Sequence, residues 1–347
     1  MEKTIKIRKP QDWHHHFRDG EALSRTVPDA ARQFSHALAM PNLIPPVATV
    51  TDALAYRKRL LAAVPTGQAF EPCMCLYLTK ATSTTDIEQA SQSKHVIAVK
   101  LYPAGATTNS DAGIQSINEL FPVLEKMQET GLTLCIHGEV THPKIDIFDR
   151  EAVFIEEVLA PLLKQFPALR VVLEHITTKT AVDFICAQKN NIAATITAHH
   201  LWANRNAMLV GGIRPHLYCL PILKRESDRQ ALIAAATSGD PHFFLGTDSA
   251  PHTQNSKQSA CGCAGIYTAH AALELYTTVF DEYNALHRLS DFSSVFGAAF
   301  YGIAPVNEDI ELIKRPWLVP ESLSFAGETL IPFAAGQTLE WQIKYDN

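Results

Sequence analysis

The stretch Trp13-His14-His15-His16-Phe17-Arg18-Asp19 decides how this chain is read. His14 and His16 are two residues apart, and on a β-strand that spacing puts both imidazoles on one face. Followed by Arg18, they make a place for a cation beside a place for an anion. His15 between them points the other way, toward the wall that the strand helps to build. A metal site begun on one strand sends the search to the other strands for the remaining ligands.

Seven further apolar runs have strand character, so that the full set is 12–16, 36–40, 73–78, 97–101, 132–137, 171–175, 193–197 and 243–248. Apolar residues recurring at three and four positions predict amphipathic helices between most of them, at 52–63, 116–128, 151–166, 178–188 and 229–237. Asp149 is expected to cap the helix at 151–166, and Asp86 the one before Ala90. Eight strands alternating with helices predict an α/β fold of the (β/α)8 TIM-barrel type, with a doubly wound open sheet as the rival. No Gly/Ser-rich linker, repeat or low-complexity tract divides the chain, so residues 1–347 are expected to form a single barrel domain. The tail after Tyr301 is less periodic and is expected to pack on the barrel as a C-terminal extension.

Composition bounds the function. The 347 residues are 46% hydrophobic, enough for one large core, and the formal charge is −6. That balance gives no electrostatic reason to bind nucleic acid or an acidic membrane. No apolar run approaches the roughly 20 residues of a spanning helix. Residues 1–6 lack the pattern of a secretory leader. Seven scattered cysteines suit reduced thiols in a cytoplasm better than a disulfide framework. With 15 histidines in the chain, position must decide which of them matter.

In a barrel, residues at the C-terminal ends of strands point into the active-site mouth. The strand ends here carry His14, His16, Lys100, His137, His175 and Asp248. Each closes an apolar run, where a polar group is costly without partners. Any one of them has an ordinary structural reading; their conjunction predicts a site for Zn²⁺ or a similar ion. Lysine is the odd member, because an ammonium has no lone pair. Carboxylated by CO2, Lys100 becomes a two-oxygen anion able to bridge two ions about 3.5–4 Å apart. The expectation is therefore two Zn²⁺ per chain, bridged by carboxylated Lys100 and a hydroxide. Asp248 would hold one ion and shuttle the proton, which suits hydrolysis of an amide-like bond or its reversal by ring closure.

With these residues in hand, the chain resembles the amidohydrolase superfamily, and within it the dihydroorotase family of the compact bacterial type. The stretches that carry the resemblance begin with 13–20, Met40-Pro41-Asn42-Leu43, the run 100–110 and Ile136-His137-Gly138-Glu139-Val140. Further along they are Glu174-His175-Ile176-Thr177-Thr178-Lys179, the run 214–221, Gly246-Thr247-Asp248-Ser249-Ala250-Pro251-His252 and Cys261-Gly262-Cys263-Ala264-Gly265. The resemblance implies reversible conversion of N-carbamoyl-L-aspartate to L-dihydroorotate and water in pyrimidine synthesis. It implies His14 and His16 on one zinc, His137 and His175 on the other, Lys100 as the bridge, and Asp248 as ligand of the first zinc and general acid/base. It further implies a carboxylate clamp of Arg18, Asn42 and His252. Backbone contacts of Leu220 and Ala264 would meet the ring amide, and a loop carrying Thr107 and Thr108 would close over the substrate. The implied partner is that small anionic substrate, and a homodimer is typical of the family. His15 departs from the family pattern, in which an apolar residue is more usual.

The alternatives are a hydantoinase-, allantoinase- or lactonase-like enzyme using the same metals, a mononuclear deaminase, and an inactive scaffold homologue. Arg18 and Asn42 argue against the first, since they suit a carboxylate-bearing substrate. A mononuclear site has no use for Lys100, and a scaffold should have lost ligands. Cys261-Gly262-Cys263 lacks the spacing and number of a zinc site and reads as a loop. Gly211-Gly212 reads as a turn. His142 has no assigned role, and His199 and His200 are left as supporting or structural residues.

Overall fold

The structure, a computed structural model, describes residues 3–188, 191–304 and 306–344; Met1 and Glu2 of the N-terminal stretch read above lie outside the described residues. A short strand not foreseen, β1 (Thr4–Arg8), precedes the eight predicted ones. Those eight all form: β2 (Gln11–His15), β3 (His36–Ala39), β4 (Glu71–Tyr77), β5 (Val96–Leu101), β6 (Thr133–His137), β7 (Val171–Glu174), β8 (Ile192–Ile196) and β9 (Phe243–Leu245). They lie side by side in chain order, each parallel to the last. The first and last strands meet across a seam. There His16 N donates to Ser249 O at 3.1 Å and Asp248 N to His14 O at 2.9 Å. A closed ring of parallel strands with helices outside is the (β/α)8 barrel, and the open-sheet rival is set aside.

Asp12 bolts that seam. Its buried carboxylate accepts from Thr247 N at 2.8 Å, Thr247 Oγ1 at 2.6 Å and His14 N at 3.2 Å, and from His15 Nδ1 at 2.7 Å. The register of β2 against β3 shifts between Asp12 and His15. This irregularity lets the consecutive Trp13 and His14 both face the interior. Trp13 stacks on Tyr301 at 4.6 Å within the lower barrel core, whereas His14 enters the mouth. His15 faces outward as alternation predicts, its ring 4.1 Å from that of Phe17.

The barrel interior is filled below the mouth by Leu38, Cys75, Ala98, Cys135, Val172, Ala193 and Phe244, all buried. Ala98 and Cys135 stand two residues before Lys100 and His137, so the same strand face passes from apolar floor to polar mouth. A second, larger core fills the layer between strands and helices.

The helices follow the predicted periodicity with adjusted ends. Val50–Ala62 is capped by Thr49 in a box with Asp52. Thr84–Gln92 is capped by Ser83, and the predicted cap Asp86 is the return partner of that box three residues on. Asp149 stands at the start of Arg150–Phe154, but its side chain makes no capping bond. The run predicted at 151–166 is helical with a wider π-turn at Ile155–Leu159 before Ala160–Gln165. The tail is more regular than its sequence suggested. β10 (Asp309–Leu318) pairs antiparallel with β1 and with β13 (Thr338–Ile343), and β11 (Leu323–Phe325) forms a hairpin with β12 (Glu328–Leu330). Its partner β1 comes from the opposite end of the chain, which no local pattern could reveal. Among the described residues no helix is long and apolar enough to cross a membrane.

Candidate metal centre and substrate pocket

The predicted strand ends converge on a small, partly enclosed cavity at the C-terminal mouth of the barrel. His14, His16, Arg18, Asn42, Thr107, Thr108, His137, His175, Leu220, Asp248 and Ala264 line it. Lys100 lies at its floor with no exposed surface, and His252 stands behind Arg18.

Three of these residues end their strands in an unusual way. Arg18, His175 and Asp248 have left-handed backbones, with φ of 61°, 42° and 46°. For residues with a Cβ this costs on the order of 1–3 kcal/mol each and persists only where the surroundings enforce it. The turn redirects each side chain into the mouth. Arg18 is therefore not the simple continuation of the His14/His16 strand face, since β2 stops at His15.

His14 Nε2 and His16 Nε2 lie 3.3 Å apart, and Asp248 Oδ1 sits 3.3 Å from the first and 3.0 Å from the second. Their outer nitrogens are occupied. His14 Nδ1 donates to Glu174, and His16 Nδ1 donates to Asn42 Oδ1 at 2.9 Å. This fixes both tautomers with a lone pair facing inward. His137 Nε2 likewise donates to Glu139 at 2.8 Å, which leaves its Nδ1 lone pair free to ligate. The His175 ring lies 4.8 Å from that of His137 and 4.9 Å from that of His14. Among the described residues, His175 Nδ1 and Lys100 Nζ are buried without a hydrogen-bond partner. Buried ammonium and imidazole groups in that condition are costly, and cations with a carboxylated lysine would satisfy both. The donor set of imidazoles, one carboxylate and one lysine thus fits divalent ions.

The electrostatics agree with a cation site. Burial pushes the His16 imidazole down to about 3, and burial with Lys100 holds His175 well below its ordinary value, so both are neutral and able to ligate a cation. Burial also disfavours protonated His14, but Glu174 and Asp248 outweigh it. Burial would raise Asp248, yet His14, His16 and His175 hold it well below the usual carboxylate range.

On the other side of the cavity, Arg18 Nε donates to Pro251 O at 3.2 Å and Nη2 to His252 Nε2 at 3.0 Å. The loop at 105–110 is braced over the pocket. Thr108 Oγ1 donates to Ala264 O at 3.3 Å, Asn42 Nδ2 to Thr108 O at 3.1 Å, and Asn109 Nδ2 to Asn42 O at 3.1 Å. Asn42 therefore orients His16 and the loop at once.

Comparisons with known proteins agree with this geometry. The model of the amidohydrolase family matches residues 11–339. A dihydroorotase of Nitrosococcus oceani is 59% identical over 343 residues, covering 99% of each chain. The chain belongs to the amidohydrolase family, in its dihydroorotase branch. A crystal structure of a dihydroorotase from Campylobacter jejuni superposes with a TM-score of 0.91 at 35% identity, covering 99% of this amidohydrolase and 98% of that chain. A dihydroorotase from Saccharomyces cerevisiae, solved in complex with 5-fluoroorotic acid, gives 0.91 at 33% identity and covers 99% of both chains.

Sequence reasoning left several residues of this dihydroorotase-family site without a role. Tyr102, Ala250 and Gly265 also line the cavity. Glu174 and Glu139 orient two imidazoles. Glu174 carried a signal, since it follows inward-facing Val172 by two on a fully buried strand. His199 and His200 lie on the short helix Ala198–Trp202 after β8. His200 accepts from Thr197 Oγ1 at 2.7 Å and donates to Pro221 O at 3.1 Å, so it anchors the segment beside Leu220. His142 is exposed outside the cavity, and Cys261 and Cys263 are free thiols on a loop.

Proposed function

We propose that this amidohydrolase interconverts N-carbamoyl-L-aspartate and L-dihydroorotate, the ring-closing step of pyrimidine synthesis, with two Zn²⁺ ions and a carboxylated Lys100. The observation that carries the reading is the meeting of His14, His16 and Asp248 within 3.3 Å, beside His137, His175 and the buried, unpartnered Lys100. His14, His16 and Asp248 would hold one ion and His137 and His175 the other, with Lys100 joining them. Such ions supply Lewis acidity for the attacked carbonyl and lower the pKa of water.

The chain's own groups do the rest. Asp248, held ionised by His14, His16 and His175, accepts the proton of the attacking water and returns it to the ring nitrogen that leaves. In the closing direction the same carboxylate takes the proton from the carbamoyl nitrogen. Arg18 pairs with the substrate carboxylate through two N–H groups, and His252 and Asn42 stand beside it. The backbones of Leu220 and Ala264 meet the ring amide. Thr107 and Thr108 close the loop and exclude water. The reading includes a homodimer working in the cytoplasm.

The test is a metal count on protein purified without added metal, paired with a dihydroorotate assay. Two ions per chain with turnover support it. Full activity of metal-free protein, or of Lys100→Ala without an added short carboxylic acid, would sink the bridging role. A hydantoinase-like reading predicts faster turnover of a neutral hydantoin than of carbamoyl aspartate, and the Arg18–His252 pair favours the opposite result.

A further inference from the structure

The two backbone segments assigned to the substrate ring, around Leu220 and Ala264, are loops with no sheet or long helix behind them. Something must hold them at a fixed separation, and the candidate is a lysine that no motif singled out. Lys257 ends the short helix Gln254–Lys257 and is only 4% exposed. Its Nζ donates to Tyr218 O at 2.6 Å, Cys263 O at 2.8 Å and Gly265 O at 2.8 Å. An ammonium has three donors, and here three backbone carbonyls take all three. Among the described residues no carboxylate pairs with it, so its charge is held by peptide dipoles and by the face of the Tyr218 ring, 5.7 Å away.

The placement of those carbonyls matters. Cys263 and Gly265 flank Ala264, and Tyr218 lies two residues before Leu220. Gly265 N also donates to Tyr218 O at 3.0 Å, which joins the two segments directly. The clamped loop is packed tightly toward the carboxylate clamp. A Cβ on Gly265 would come within 2.7 Å of Ala250 O and 2.8 Å of the His252 ring. Ala264 O, between the two clamped carbonyls, receives Thr108 Oγ1 of the closing loop. One buried cation thus sits where both backbone contacts and the lid meet.

We propose that Lys257 is a positioning residue for substrate: its ammonium ties the Tyr218–Leu220 and Cys263–Gly265 segments together so that both backbone contacts meet the ring in register. This rests on the dihydroorotate reading above. An ammonium whose three donors match three acceptors loses one of them on deprotonation, and the neutral amine turns a lone pair toward a carbonyl. Burial already pushes Lys257 down to about 8, against the pull of Cys219 and Cys263. The other titratable groups facing it are Tyr218, His199, His216 and His252, and Glu328 reaches its helix through Asn255.

The experiment compares steady-state kinetics of the metal-loaded parent and Lys257→Met, with metal content and Tm measured on both. The parent must turn over dihydroorotate; if it does not, the functional reading fails rather than this one. KM is expected to rise about tenfold or more, kcat to change by no more than about threefold, and metal content to stay at the parent's level. KM and kcat both unchanged in a folded, metal-loaded variant would overturn the role. Should Lys257→Met not fold, the parent alone decides. Its KM is expected to rise about tenfold between roughly pH 7 and pH 9.5, following a single ionisation near that of Lys257. A flat KM across that range overturns the proposal.

Discussion

Replacing His15 with leucine tests the alternation on which the whole site rests. His15 sits between two proposed ligands, yet its Nδ1 donates to Asp12 at 2.7 Å and its ring packs on Phe17, away from the cavity. His15→Leu removes one hydrogen bond to a carboxylate, worth about 1.5–3 kcal/mol. Asp12 keeps its three other donors, from His14 N and from Thr247 N and Oγ1. The change also removes His15 Nε2, a buried nitrogen without a partner, which returns about 1 kcal/mol or more. The net expectation is a loss of about 1 kcal/mol, or a fall in Tm of about 1–2 °C for a chain of this size. Calorimetry should show that shift. Elemental analysis should find the parent's metal content, and kcat/KM should stay within about threefold. His14→Leu and His16→Leu, by contrast, should lose metal. If His15→Leu is also stripped of metal, or loses activity more than about a hundredfold, the assignment of faces is wrong.

Four other outcomes follow from the same geometry. Asp12→Ala removes the acceptor of four donors at the barrel seam, of which Thr247 Oγ1 alone keeps another in His14 O, and should cost about 3–5 kcal/mol in urea unfolding; an unchanged midpoint would show that the seam closes without it. Glu174→Gln keeps the shape but weakens the His14 partner, and competition against a chelator should show metal affinity lower by about 10–100-fold. Dialysis against a chelator should abolish dihydroorotate turnover, and zinc alone should restore it. Asp281 accepts from Lys3 at 2.6 Å, Lys314 at 2.7 Å and Trp341 at 3.1 Å, tying the terminal sheet to a barrel helix. Burial pushes its carboxyl up, but those three bonds outweigh it and hold it low, so its contribution is present above the unfolded value near about pH 4 and is lost as pH falls through the folded value. Asp281→Asn should therefore be less stable than the parent at neutral pH by on the order of 1 kcal/mol, with the gap closing as pH falls through the lowered folded value.

The barrel was legible because each of its strands is buried on both faces and reads as a short apolar run, and because helices recur between them. The convergence of the site residues on the mouth was legible because a polar residue ending such a run needs a partner. The terminal sheet was not, since β1 and β10 are about 300 residues apart and nothing local says that they pair. Asp86 was misplaced by three residues because both ends of a capping box are polar, and only the bond from Ser83 shows which is the cap.

The amino-acid sequence by itself determined the order of the strands, the six polar side chains that end them at the mouth and the outward direction of His15. These depend on the two-residue period of a strand and on the cost of ending an apolar run with a charge. Tertiary structure alone decided which nitrogen of His14, His16 and His137 faces inward, because that follows from where Glu174, Asn42 and Glu139 are brought against the rings. It also decided the left-handed turns at Arg18, His175 and Asp248, which no local preference favours and which only the packed mouth of the closed barrel can hold in place.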